Sequence, residues 1–190
     1  MKKMLKTLYI LLIKIKRYFI GHHLFCESLP LVKSFALPEI LRHCNANVGS
    51  DVSIKSGLVI LNSSGRSESL GDFKKLTIGQ ECYIGEQVIL DLTDEIRLGK
   101  EVVLSARVSL FTHQEVGNRI ISKSLDEYRS PILLGDGAYL GTGAIVLPGV
   151  RIGKMCVVGA GAVVTQDLDD FSVAVGVPAK VIRKLIPMDL

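Results

Sequence analysis

From Leu134 to Thr165 the chain repeats every six residues, an aliphatic side chain opening each unit at Leu134, Leu140, Val146, Ile152, Val158 and Val164. Glycine follows the opener at Gly135, Gly141, Gly153 and Gly159. The fifth place of each complete unit is small or β-branched: Ala138, Ala144, Val150, Cys156 and Ala162. A helix repeats about every 3.6 residues and a simple strand every two, so neither produces this pattern. The same register recurs at Val48, Ile54 and Ile60, at Ile78, Ile84 and Leu90, and at Leu98, Leu104 and Leu110. A fixed period of six is the signature of a parallel β-helix, in which short strands coil around one narrow core. Three sixes make one triangular coil, so these units predict about five coils, stacked at about the 4.7–4.9 Å spacing of paired strands. The opening aliphatic then points inward and stacks on its counterparts. The fifth residue also points inward, where the narrowing section has room only for Ala, Val or Cys. Glycine beside the opener suits a corner where a Cβ would clash or where φ is positive. The period leaves the hand of the coil open, and the general preference is for right-handed crossovers.

The repeat starts near Val48, after a stretch punctuated by Pro30 and Pro38, and is interrupted three times. The polar, glycine-bearing segment 62–75 reads as a loop leaving one corner. The step from Leu90 to Leu98 is eight residues rather than six, which places a small insertion near Thr93–Glu95. The largest excursion is 114–131. Loops protruding from a regular scaffold are where function concentrates. Ahead of the repeat, residues 1–20 read as an amphipathic helix with Leu5, Leu8, Leu12, Ile15 and Phe19 on one face. Its uninterrupted apolar run, Leu8–Ile13, is too short to span a bilayer. Basic residues break the run and no small-residue cleavage site follows, so a signal peptide is not expected. The helix either packs on the β-helix or a neighbouring subunit, or lies on an anionic membrane surface. The expected division is therefore a basic helix and linker at 1–47 and a β-helix domain at 48–190.

The net charge of +4 is unevenly placed. Lys2, Lys3, Lys6, Lys14, Lys16 and Arg17 put six bases and no acid in the first 17 residues. The remainder has 23 − 6 = 17 bases against 19 acids, a net of −2. The body therefore offers no basic surface for nucleic acid, and the positive character belongs to the N-terminal segment. The four cysteines, Cys26, Cys44, Cys82 and Cys156, show no CxxC spacing. Cys82 and Cys156 stand in the small inward column, where packing is their role. A reducing cytosol is the natural compartment for such a chain. His22, His23 and His43 have no further ligand at metal-binding spacing, so no metal is expected.

His113 is the only histidine within the repeat region, in Phe111-Thr112-His113-Gln114, just before the long excursion. Near the end of the chain stands Gly176-Val177-Pro178-Ala179-Lys180-Val181-Ile182-Arg183. The repeat, the Thr112-His113 pair and this terminal motif together resemble the hexapeptide-repeat acyltransferase family over roughly 48–183. Within it they resemble the maltose, galactoside and polysaccharide-biosynthesis O-acetyltransferases. The resemblance implies a left-handed parallel β-helix, against the general rule of hand. It implies acetyl-coenzyme A as acyl donor and His113 as general base. An imidazole titrating near neutrality can take the proton of a sugar hydroxyl as it attacks a thioester.

By matching position, Thr142, Ala160 and Thr165 resemble residues lining the pantetheine groove, and Lys180 and Arg183 suit the coenzyme's phosphates. Gln87 aligns with an asparagine that meets the acceptor in the galactoside enzymes. Asp91 and Glu115, near His113 in sequence, are candidates to orient it or a hydroxyl. Gln166 stands where a lysine often follows the threonine in the family, which weakens one contact that the resemblance implies. The family's assembly is a homotrimer with active sites between subunits. The expected acceptor is a sugar or glycan of surface-polysaccharide biosynthesis, and the location is the cytoplasm, with residues 1–20 available for contact at the inner membrane face. Serine O-acetylation and N-acylation of an amino-sugar are the alternative reactions, and an inert interaction scaffold is the non-enzymatic one. A γ-type carbonic anhydrase needs three histidines around a metal, and the repeat supplies only His113.

Overall fold

The computed structural model describes residues 2–61 and 72–186. Two helices precede the repeat: α1 (Lys2–Ser28) and, after two short 3-10 turns, α2 (Leu37–His43). The first coil is β1 (Asn47–Val48), β2 (Ser53–Ile54) and β3 (Val59–Leu61), and the second is β4 (Leu76–Ile78), β5 (Tyr83–Ile84) and β6 (Ile89–Asp91). The third coil is β7 (Ile96–Leu98), β8 (Val103–Leu104) and β9 (Ser109–Leu110). An excursion follows, carrying β10 (His113–Gln114) and β11 (Tyr128–Arg129). The fourth coil is β12 (Ile132–Leu134), β13 (Tyr139–Leu140) and β14 (Ile145–Val146), and the fifth is β15 (Arg151–Ile152), β16 (Val157–Val158) and β17 (Val163–Val164). The chain ends on β18 (Ser172–Val175) and β19 (Lys180–Lys184).

Strands one coil apart pair in parallel and form three faces. Face A is β1-β4-β7-β12-β15, face C is β3-β6-β9-β14-β17, and face B runs β2-β5-β8-β13-β16-β18 with β19 added antiparallel at its end. The register keeps the openers in line: Ile78 lies against Leu98, Leu104 against Leu140 and Leu110 against Val146. All of them are buried, as is the small column of Ala138, Ala144, Val150, Cys156 and Ala162. Each coil touches only its neighbours, so the core is a one-dimensional stack of aliphatic layers. Cys82 and Cys156 lie inside it, each with its thiol 3.1 Å from a backbone carbonyl, of Gly99 and Asp169.

The two reasons for glycine separate onto two columns. Beside the opener, glycine serves close approach: a Cβ on Gly141 would stand 2.6 Å from the backbone nitrogen of Ala160 in the next coil. The left-handed turn falls two places later, at Gly143 and Gly161, and is also adopted there by Asp51, Gln87 and Arg107. Exposed corners tolerate these strained residues because the ladder fixes the backbone on both sides.

Both open ends of the stack are covered. Where a linker was expected, α1 continues past position 20 to Ser28 and α2 follows, with Pro30 and Pro38 each starting a helical turn. Phe25, Leu29, Leu37, Ile40 and Leu41 are buried in the same core as the first coil. The first coil needs that cover because an end layer of a β-helix otherwise exposes its aliphatics. Arg42 ties α2 to the coil by donating to the carbonyls of Val48 and Gly49. At the other end Leu168 and Ala174 continue the inward column above the fifth coil. Residues 62–71 of the loop expected at 62–75 lie outside the described residues.

Candidate active site

The corner that joins faces C and A is where the coil is least regular. In the second coil the residue after the opener Leu90 is Asp91, fully buried. The two extra residues between Leu90 and Leu98 build a turn whose Thr93 donates both its N–H (3.1 Å) and its hydroxyl (2.8 Å) to Asp91 Oδ1. One coil on, Thr112 N–H (2.9 Å) and His113 N–H (3.2 Å) converge on Asp91 Oδ2. The Thr112 hydroxyl donates to the Asp91 backbone carbonyl at 2.8 Å and accepts from the Asp94 N–H at 2.8 Å. A carboxylate buried without such donors would be strongly disfavoured, so this ring of N–H and O–H groups is what lets an acid stand inside the coil.

His113 then reaches back: its Nδ1 lies 2.5 Å from Asp91 Oδ2. A carboxylate only accepts, so Nδ1 carries the hydrogen and the neutral ring keeps its lone pair on Nε2. The His113 side chain is 25% exposed and that of Asp91 is 0%. One end of the imidazole is thus held from beneath, and the ring is accessible from solvent. The arrangement can accept a proton at a fixed atom and stabilise the resulting imidazolium. His113 also begins the two-stranded ladder of β10 with β11 that forms the base of the 114–131 excursion, pairing with Arg129. Ser130 N–H donates to the Thr112 carbonyl at 2.9 Å where the excursion closes. Backbone as well as side chain therefore fixes the histidine.

Of the two roles expected for Asp91, the structure places it under His113, buried and out of reach of an incoming hydroxyl. Glu115 is exposed in the excursion two residues beyond. Gln87 is exposed at a different corner, between faces B and C, with φ 57°. Thr142 and Ala160 lie on that same corner in successive coils, the ladder running from Gly161 N–H to the Thr142 carbonyl. A Cβ added at Gly143 or Gly161 would meet nothing within 4 Å, so the edge is open at these two positions. The Gly176–Ala179 turn extends it: Val163 N–H donates to Gly176 carbonyl and Ala179 N–H to Val163 carbonyl. Lys180 and Arg183 follow, exposed on β19. Thr165 falls instead on the His113 corner, after β17. The residues expected to line one groove therefore divide between two edges of the prism.

Thr93, and Thr112 beyond its place in the Thr112-His113 pair, are candidate-site residues to which the sequence assigned no role. Two signals pointed to them: Asp91 is the only acid directly after an opener, and the register lengthens immediately beyond it. Among the described residues no group of three or more His, Cys, Asp and Glu side chains is placed to hold a metal ion. The side chains of His22 and His23 lie outside the described residues, and His43 is exposed at the end of α2.

Comparison with known proteins agrees with the coil. Residues 131–166 match the bacterial transferase hexapeptide (six repeats) family. A galactoside O-acetyltransferase of Lactococcus lactis is 34% identical over 116 residues, 61% of this chain and 56% of that protein. This relative and two putative acetyltransferases of yeasts are matched over only 44–60% of their own lengths. The galactoside O-acetyltransferase of Escherichia coli is 27% identical over 172 residues, 86% of this chain and 84% of that one. The crystal structure of a Vibrio cholerae hexapeptide-repeat-containing acetyltransferase, complexed with acetyl-coenzyme A, superposes with a TM-score of 0.70 at 20% identity, covering 85% of this chain and 84% of that one. The six-residue register, the three-faced coil that follows from it and these likenesses give the chain the left-handed parallel β-helix fold of the hexapeptide-repeat acetyltransferases, with the repeat itself matched at residues 131–166.

Proposed function

We propose that this protein is an acetyl-coenzyme A-dependent O-acetyltransferase acting on a sugar hydroxyl, with His113 as general base. The observation that carries the reading is the Asp91–His113 contact at 2.5 Å, which leaves Nε2 as the proton acceptor on a partly exposed ring. The galactoside O-acetyltransferases among its relatives, and the acetyl-coenzyme A held by a protein of the same fold, support the reaction class.

In this mechanism Nε2 takes the hydroxyl proton as the acceptor oxygen forms its bond to the thioester carbonyl carbon. Asp91 keeps the ring in the right tautomer and offsets the imidazolium charge. The imidazolium then returns the proton to the coenzyme sulfur as the carbon–sulfur bond breaks, giving the sugar ester and the free thiol. The edge of Thr142 and Ala160, open at Gly143 and Gly161, suits a slender amide-bearing arm, and Lys180 and Arg183 supply charge for phosphates. Thr165, on the His113 corner, would meet the thiol end of the donor. Gln87 and Glu115 would contact the acceptor.

The donor edge and the base stand on different edges of one prism, flanking face C. A homotrimer that sets one copy's His113 corner against the next copy's donor edge would unite them, and we place the active site at that junction. The acceptor is a glycan of surface-polysaccharide biosynthesis, acetylated in the cytoplasm. The test is thiol release from acetyl-coenzyme A across a panel of free sugars, nucleotide-sugars and lipid-linked glycans. Turnover with one of these classes, lost in the His113→Ala protein, is the expected result. No release above the hydrolysis background with any of them would refute the reading.

A further inference from the structure

The N-terminal helix has two apolar faces, and the body uses only one. Tyr9, Ile10, Ile13 and Ile20 pack against the core. Lys14 Nζ meets Glu39 Oε1 at 2.9 Å, and the Lys33 N–H donates to the Tyr9 hydroxyl at 3.1 Å, so this face of α1 is firmly docked. The opposite face carries Leu5, Leu8, Leu12, Ile15 and Phe19, every one at least 43% exposed, with Met4, Leu11 and Tyr18 beside them. At roughly 100° per residue these positions fill one continuous arc of about 140° that contains no charged residue. Lys16 borders the arc on one side and Lys3 on the other, where Lys14 is already paired with Glu39. An outward apolar band this long, on a helix fixed in place, is not the scattered exposure of an ordinary surface.

We infer that this face of α1 seats the protein on an anionic lipid bilayer surface. The outward band runs from Met4 to Phe19, about 24 Å at 1.5 Å per residue, and among the described residues no helix is long and apolar enough to cross a membrane. The helix therefore lies in the plane of the interface, its leucines among the acyl chains and its lysines at the headgroups. Charge selects lipid over a second copy of the helix: Lys3 and Lys16 flank the arc and no acid occurs in the first 17 residues, so the segment repels the same segment of another chain and attracts acidic headgroups. Tyr18 and Phe19, 87% and 78% exposed, have the amphipathic and aromatic character favoured at that depth. The inference rests on the helix alone and is independent of the acetyl-transfer reading.

The experiment is co-sedimentation of the full chain with phosphatidylcholine vesicles, with and without phosphatidylglycerol, at low and high salt. Light scattering and circular dichroism are followed on the same samples. Binding should require the anionic lipid and weaken as salt rises. The double substitution Leu8→Glu/Leu12→Glu, at two outward positions, should lower the partition coefficient by at least about tenfold while helicity and melting are unchanged. Lys3→Gln/Lys16→Gln should flatten the salt dependence. Absence of binding to anionic vesicles would overturn the inference. So would vesicle binding unaltered by the glutamates, or glutamates that dissolve an oligomer without touching vesicle binding, which would assign the face to a second copy of the chain.

Discussion

Two stretches of the same β-helix can be laid side by side, Leu134–Thr165 and Leu90–His113. In the first, units follow one another without interruption, the residue after each opener is Gly, Leu or Thr, and the inward columns are entirely apolar. In the second, an aspartate follows the opener, the corner is two residues longer, and a histidine closes the next coil. The first stretch is stable because each layer repeats the one beneath it. The second departs from the repeat and contains a buried carboxylate, satisfied by Thr93 and Thr112 and turned toward His113. Regularity supplies the rigid frame, and one costly exception to it holds the histidine proposed as the base. That difference in role is open to test.

The largest expected effect lies in the regular stretch. Leu140 is fully buried between the third and fifth coils, and Leu140→Ala should cost about 2–5 kcal/mol of unfolding free energy, read by chemical denaturation. A loss below about 1 kcal/mol would show that the layers do not carry the stability assigned to them.

Next comes the irregular corner. Asp91→Asn keeps the shape but leaves one acceptor oxygen where two were engaged. One set of donors, Thr93 or Thr112 with His113, is then left unsatisfied in a buried place, at about 1–3 kcal/mol. The same change removes the anion beneath the imidazole, so turnover should fall by at least about tenfold in steady-state assays. Stability lost with turnover intact would make Asp91 a structural residue alone.

The finest contrast is between two glycines. Gly141→Ala forces a Cβ to 2.6 Å from the Ala160 nitrogen, with about 1–3 kcal/mol of overpacking expected. Gly143→Ala meets open space and bears only the left-handed φ of 70°, about 1 kcal/mol. Equal melting temperatures for the two variants would contradict the separation of close approach from turn geometry.

Periodicity made most of the fold legible. Fifteen openers and the small column announce the coil, because a six-residue register has few other physical explanations. The caps were less legible. Residues 21–47 carry no repeat, and that they return to cover the first coil depends on where Phe25 and Leu37 find apolar partners. The outward face of α1 was readable as an amphipathic stripe. Its inward face was not, since Tyr9, Ile10 and Ile13 declare themselves only against the body. At the site, His113 stood out by being alone in the repeat. The pairing with Asp91 is a contact between successive coils, 22 positions apart in sequence, and sequence neighbourhood alone put Glu115 on the same footing. Thr165 also illustrates the limit: its place in the repeat is plain, but the corner it occupies depends on counting strands around the prism.

The central claim is that His113, held by Asp91, is the base and that coenzyme binding lies elsewhere. The most direct measurement takes His113→Ala and Lys180→Ala through the same two assays, steady-state turnover with the identified acceptor and calorimetric titration with coenzyme A. His113→Ala should lower kcat by roughly 10²–10⁴-fold and leave the coenzyme Kd nearly unchanged. Lys180→Ala should weaken the coenzyme Kd and leave kcat comparatively intact. A folded His113→Ala protein with full turnover would contradict the account.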